Sequence, residues 1–157
     1  MSTAALLVAF LLDGQRYALP VEAVERIVRA VEVTPLAGAP PAVLGIIDVA
    51  GEVQPVLDLR VRLGLRSKAL DVTDQFIIAR TPRRIVVLIV EQVLGMVESP
   101  ARGIVPVAQF APELAHIRGA IQLEDGLVLI QDLELVLTPE EEKGLTAALE
   151  GGRTDGP

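Results

Sequence analysis

Between positions 52 and 63 the chain alternates, with Val53, Pro55, Leu57, Leu59, Val61 and Leu63 in one set of places and Glu52, Gln54, Val56, Asp58, Arg60 and Arg62 in the other. Successive side chains of a strand point to opposite faces, so this period of two predicts a half-buried strand over 52–63. Pro55 lacks the amide that a central ladder requires, which puts the strand at an edge or a bulge. Runs rich in aliphatic and β-branched residues predict further strands at 6–12, 16–21, 26–33, 43–49, 75–79, 85–90 and 127–137. Asp13-Gly14 and Asp125-Gly126 are hairpin signals, because both central places of the tight turn favour residues that tolerate positive φ. Thr81-Pro82 joins 75–79 to 85–90 as a third hairpin, with Arg80, Arg83 and Arg84 around a solvated tip.

Two helical stretches complete the pattern. Residues 20–25 form one turn with Val21 and Val24 facing inward. Thr138 caps a second helix over 138–150, with Pro139 at its first position and Glu141 completing a capping box. Gly151-Gly152 is expected to end it and leave 151–157 as a disordered tail.

The chain also repeats itself. The stretch from Gly45 to Leu59 aligns without a gap to Gly119 to Leu133, an offset of 74 that matches Ile47 to Ile121 and Asp58 to Asp132. A looser match at an offset of 69 sets 17–28 against 86–97 and pairs Val21, Glu22 and Val24 with Val90, Glu91 and Val93. Two similar lobes follow, near 15–65 and 75–137, joined by 64–75 inside one domain spanning 1–157. About five short strands per lobe are too few for a wide sandwich but suffice for a small barrel. The expectation is an all-β chain with a short helix in the first lobe, terminal segments packing across the lobes, and a groove between them.

Composition narrows the function. A chain of 157 residues, 51% of them apolar, can bury a sizeable core. A net charge of −7 has the wrong sign for nucleic acid or an anionic membrane and suits protein partners. There is no cysteine, so disulfides, thiolate metal sites and a thiol nucleophile are excluded. The apolar run 4–12 has no preceding basic residue and no stretch approaches the ~20 apolar residues of a membrane span, so a cytoplasmic address without membrane insertion is expected.

Candidate chemistry is sparse. His116 is the single histidine, and no Gly-Lys-Ser/Thr loop, G-x-S-x-G or H-E-x-x-H occurs. Asp58 and Asp132 could be read as a general acid and base, but their equivalence in the repeat favours each satisfying backbone amides at a strand end. Arg60, Arg62 and Arg66, like Arg80, Arg83 and Arg84, suit carboxylate recognition or a solvated face. Phe10, Tyr17, Phe76 and Phe110 are too few for a base-stacking platform. Neither an enzyme nor a cofactor is expected.

The ordered segments Phe10-Leu11-Leu12-Asp13-Gly14, Tyr17-Ala18-Leu19-Pro20-Val21, Val24-Glu25-Arg26-Ile27-Val28, Thr34-Pro35-Leu36, 45–60, Val90-Glu91-Gln92-Val93 and 127–137 resemble a CheW-type coupling domain over essentially the whole chain. The resemblance implies two five-stranded SH3-like barrels without enzymatic activity. It also implies an adaptor between the cytoplasmic tip of chemoreceptors (methyl-accepting chemotaxis proteins) and the regulatory domain of a CheA-type histidine kinase, located in the cytoplasm and, through its partners, at receptor arrays. Carried over by position, Val24, Arg26, Asp48 and Ala50 fall at the kinase-binding face. The receptor-binding groove is expected to be lined by apolar side chains from both lobes, Phe76, Ile77, Val87, Met96 and Val97, for most of which plain core is the competing reading. The family pattern Asn-x-Arg-Gly is replaced here by Asp48-Val49-Ala50-Gly51, which removes a base from the kinase face and adds an acid. Other readings are a divergent adaptor in an accessory or surface-motility system, a small-molecule module using the inter-lobe groove, and a general SH3-like peptide binder.

Overall fold

The computed structural model describes residues 5–99, 104–105 and 117–154, so His116 and Phe110 lie outside the described residues. In chain order the strands are β1 Ala5–Leu12, β2 Gln15–Pro20, β3 Val24–Arg29, β4 Val43–Val49, β5 Glu52–Leu57, β6 Gln75–Arg80, β7 Ile85–Val90, β8 Gln92–Ser99, β9 Ile117–Leu123 and β10 Gly126–Gln131. A 3-10 turn covers Val21–Ala23, and the helices are α1 Leu59–Leu63 and α2 Pro139–Thr154. The expected mostly β architecture with two five-stranded lobes is present: sheet I runs β8-β1-β2-β10-β9 and sheet II runs β3-β6-β7-β5-β4. Among the described residues no ladder joins the end strands of either sheet, so neither lobe is a closed barrel.

The two sheets interleave the halves of the chain. β1 and β2 join β8, β9 and β10, while β3, β4 and β5 join β6 and β7. The repeat explains this exchange as a near two-fold symmetry. Val56 lies opposite Val87 where β5 runs parallel to β7, and Ile130 lies opposite Ala18 where β10 runs parallel to β2. Offsets of 74 and 69 convert one pair into the other. The isolated bridges Thr34 to Ile46 and Val105 to Ala120 fall at comparable places, with Ile46 and Ala120 related by the offset of 74.

Burial follows the alternation of the inner strands. Leu7, Ala18, Ile121, Val128 and Ile130 fill the interior of sheet I, and Ile47, Val56, Phe76, Ile78 and Val87 fill that of sheet II. The opposite faces of the same strands contribute Phe10, Tyr17, Leu19, Leu57, Ile77, Ala79, Val86, Leu88 and Val90 to a third cluster shared by both sheets. The groove expected between the lobes is therefore filled with side chains. Phe10 and Tyr17 stack there with ring centroids 5.9 Å apart.

Several local expectations are corrected. The strand predicted over 52–63 ends at Leu57, and α1 follows. Asp58 Oδ1 accepts from the Arg60 amide at 3.0 Å and caps α1, and Gly64 ends it in the left-handed conformation at φ 69°. Leu59 and Leu63 are four apart and share the buried side of a helix as readily as they alternate in a strand. β8 and β9 were not among the predicted strands; β7 passes into β8 through Glu91 alone, without turn residues, and Gly119 interrupts the apolar pattern of β9. Asp13 and Gly14 form the first turn at φ 51° and 78° as expected. The later loop is instead Glu124-Asp125, with Gly126 opening β10 opposite Leu123. A side chain at Gly126 would press on Arg16, which reaches Asp125 at 3.0 Å.

α2 crosses from sheet I to sheet II. Thr138 and Glu141 form the capping box, with the Glu141 amide donating to Thr138 Oγ1 at 3.1 Å and the Thr138 amide to Glu141 Oε1 at 2.8 Å. Arg62 of α1 pairs with Glu141 and donates to the Val136 carbonyl at 3.1 Å. Arg84 pairs with Glu142 at 3.1 Å and donates to Thr146 at 2.6 Å, so it braces the helix instead of lying at a solvated tip. Gly151 is helical, and α2 runs on to Thr154 instead of stopping before the glycine pair.

Three outcomes follow for stability. A Cβ at Gly45 would sit 2.2 Å from the Thr34 carbonyl oxygen, so Gly45→Ala should cost about 2–3 kcal/mol in urea unfolding. Ala50 occupies φ 52° in the β4–β5 turn, a conformation that strains any Cβ, so Ala50→Gly should instead stabilise by ~0.5–1 kcal/mol. Burial pushes the Glu141 carboxyl up, but the Arg62 and Thr138 hydrogen bonds and the Arg62 charge outweigh it and hold it below its ordinary value of 4.5. A depressed folded value gives stability that is present above the ordinary value and lost as pH falls through the depressed one. Unfolding free energies measured from about pH 5 downward should therefore fall more steeply for the unmodified chain than for Glu141→Gln; equal slopes would contradict the clamp.

Candidate functional site

The four positions expected at the kinase face are separated into two pairs. Val24 and Arg26 lie on β3, and Asp48 and Ala50 lie at the β4–β5 turn, while β3 and β4 form the opposite edges of sheet II. Val24 is half-buried against the shared core, and Arg26 is exposed. Ala50 is exposed at the apex of the two-residue loop, followed by Gly51 at φ 89°. Asp48 Oδ1 accepts from the Gly51 amide at 2.8 Å, which fixes both the turn and its carboxylate. The turn thus presents a fixed acid, Asp48, beside the exposed backbone apex at Ala50 and Gly51.

The residues expected at the receptor groove divide between core and surface. Phe76, Ile77 and Val87 are each 0% exposed and belong to the core. They sit on β6 and β7, the inner strands of sheet II, which are covered on both faces and so leave no side of the strand for a partner. Met96, on the edge strand β8, is 63% exposed, and Val97 is half-buried against the interior of sheet I. Met96 corresponds to exposed Ile27 of β3 in the repeat, and Val53 of β5 corresponds to exposed Leu127 of β10. The symmetry therefore extends to the surface.

Asp58 and Asp132 behave alike, as their equivalence implied. Asp58 caps α1, and Asp132 Oδ1 accepts from the Glu134 amide at 3.0 Å. Neither faces the other as half of a carboxylate pair in any described contact. A polar tie that the sequence did not single out joins the sheets: Glu91 Oε2 accepts from the Asp13 amide at 3.0 Å and from Arg60, while its own amide donates to the Leu11 carbonyl at 3.0 Å. Burial raises the Glu91 carboxyl, but the Asp13 amide and Arg60 outweigh it and lower the net value. Its signal was the matched Glu22 and Glu91 of the repeat, although only Glu91 stands between two strands without a turn.

Among the described residues no group of three or more His, Cys, Asp or Glu is placed to hold a metal ion. None of the helices there is long and apolar enough to cross a membrane. What the surface offers is exposed apolar side chains, Ile27 and Met96 on edge strands and Val53 and Leu127 on β5 and β10, beside charged turns. Such an arrangement can bind another protein by contact alone.

The CheW-like domain family matches residues 6–141. A chemotaxis protein CheW of Rhizobium meliloti is 31% identical over 137 residues, covering 86% of this chain and 88% of that protein. A second, of Klebsiella aerogenes, is 27% identical over 134 residues, covering 84% and 81%. The crystal structure of the scaffolding protein TtCheW from Thermoanaerobacter tengcongensis superposes with a TM-score of 0.81 at 24% identity, covering 88% of this chain and 96% of that one. With the shared strand-exchanged fold and a match across most of its length, this chain belongs to the CheW-like domain family.

Proposed function

We propose that this chain is a non-catalytic coupling adaptor that bridges the cytoplasmic tip of chemoreceptors and the regulatory domain of a CheA-type histidine kinase. The observation that carries the reading is the pairing of a filled interior with a duplicated exterior. The expected inter-lobe groove is packed by the shared core, while Val53 and Leu127, and Ile27 and Met96, stay exposed at equivalent places of the two lobes. A body built in this way transmits a signal through how it holds its partners, which is a coupling free energy between surfaces and needs no reaction. Val24 and Arg26 on β3 and Asp48 and Ala50 at the β4–β5 turn are assigned to kinase binding. Met96, backed by Val97, is assigned to the receptor face. The address is the cytoplasm, at receptor arrays through those partners.

The β4–β5 turn favours one refinement within this class. Asp48 and Ala50 replace the usual amide and base, so the kinase recognised is expected to differ at the complementary position, as in an accessory or surface-motility system.

Calorimetric titration with the cognate receptor fragment and kinase regulatory domain tests the assignment. Binding to both is expected, and binding to neither would contradict it. Ala50→Arg should tighten binding to the regulatory domain of a kinase whose own adaptor carries Asn-x-Arg-Gly here, by about tenfold or ~1.4 kcal/mol. An unchanged affinity would remove position 50 from the contact.

A further inference from the structure

Among the described residues the strands pass between the sheets at two places, from β2 to β3 over 20–24 and from β7 to β8 at Glu91. The repeat makes these passages equivalent, since the offset of 69 sets Glu22 against Glu91 and Val24 against Val93. They are held very differently. At the second passage the Glu91 amide donates to the Leu11 carbonyl at 3.0 Å and Glu91 Oε2 accepts from the Asp13 amide at 3.0 Å, both on the sheet I side. The same Oε2 accepts from Arg60 of α1, which follows β5 of sheet II, and the Val93 amide donates to Gln75 Oε1 of β6 at 2.7 Å. Residues 91–93 are thus bonded to both sheets.

The first passage has no such tie. It is the 3-10 turn Val21–Ala23, without a side-chain cap, and Glu22 is exposed and joins no ion pair among the described residues. The cause is a change of sign in the repeat. Asp58 and Asp132 each accept from the amide two residues on, but that residue is Arg60 in one copy and Glu134 in the other, and two acids do not reproduce an ion pair. Arg60 is 8% exposed and borders a cavity of about 20 Å³, which has room for about one water. Besides Glu91, the carboxylates lining that cavity are Asp58 and Asp74, which end β5 and precede β6 and so belong to the sheet II side. Without the Glu91 carboxylate this buried guanidinium turns to its own sheet, and the tie across the passage is lost.

We propose that Glu91 is a positioning residue that fixes the angle between the two sheets, with residues 91–93 as the rigid passage and the 20–24 turn as the compliant one. The angle matters because the assigned surfaces lie on different sheets. Met96 is on sheet I, whereas Val24 and Arg26 on β3 and Asp48 and Ala50 at the β4–β5 turn are on sheet II. In its functional consequence the inference rests on the coupling reading: the Glu91 tie sets how the receptor face is oriented relative to the kinase face.

The first test reads the angle on the full chain without partners. The sequence has no cysteine, so Val53→Cys and Leu127→Cys, at exposed and equivalent places one in each sheet, carry two spin labels at defined positions. Pulsed electron resonance should give one narrow distance, which Glu91→Ala displaces or broadens and Glu22→Gln leaves alone. A pair that only added stability would lower the melting temperature and leave the distance as it was. Should Glu91→Ala fail to fold, Glu91→Gln, which keeps the shape of the side chain and removes its charge, replaces it. The second test titrates the cognate kinase regulatory domain with and without a saturating receptor fragment. The fragment should change that affinity by about fivefold or more with the unmodified chain. Glu91→Ala should remove most of this factor while each separate affinity stays within about twofold. An unchanged distance distribution, or a factor that the variant leaves as it was, overturns the inference. Absence of binding by the unmodified chain overturns the coupling reading instead, and the distance measurement alone then decides the role of Glu91.

Discussion

The structure depends on strands that are dry on both faces. β2 and β10 of sheet I and β6 and β7 of sheet II place one set of side chains inside their own lobe and the other set in a core shared between lobes. Burying both faces roughly doubles the apolar area each strand removes from water, and it leaves no side on which a polar residue is tolerated without a partner. The chain has few aromatics, so this core is assembled from aliphatic side chains whose number offsets their size. The strand exchange between halves serves the same end. Because each sheet takes strands from both repeats, separating the two halves of the chain would break ladders as well as the shared core.

That constraint also governs where function can sit. β6 and β7 have no free face, so contact surfaces lie on the edge strands, the hairpin turns, the helices and the exposed ends of β5 and β10. Asp48 and Ala50 are at such a turn, and Met96 is on such an edge. The polar ties that cross the body are few and charged: Glu91 links the β1–β2 turn to α1, and Arg62 with Arg84 holds α2 to sheet II. Partly buried charge-assisted bonds of this kind fix geometry more than they add stability. For a protein that acts by holding others, fixed geometry is the useful product.

The repeat was the most legible feature of the sequence. It correctly paired Asp58 with Asp132 and anticipated two lobes, because equivalent packing environments impose equivalent residues. Periodicity was less decisive at 59–63, where Leu59 and Leu63 satisfy a strand and a helix equally and the cap at Asp58 settles the matter. β8 escaped notice because one side of it is an exposed edge, which dilutes its apolar pattern with Gln92, Gly95 and Glu98. Phe76, Ile77 and Val87 drew attention as a receptor strip because a continuous apolar run looks the same whether it lines a groove or is covered twice. Only the third dimension distinguishes these cases.

The central claim is that both lobes share one core and stand or fall together. Native-state hydrogen exchange measures this directly by giving an opening free energy for each amide. The account predicts that the slowest amides of β2 and β10 and those of β6 and β7 exchange with one common free energy, equal to that of global unfolding. If the inner strands of one sheet opened at a clearly lower free energy than those of the other, the shared core would not be what holds the molecule together.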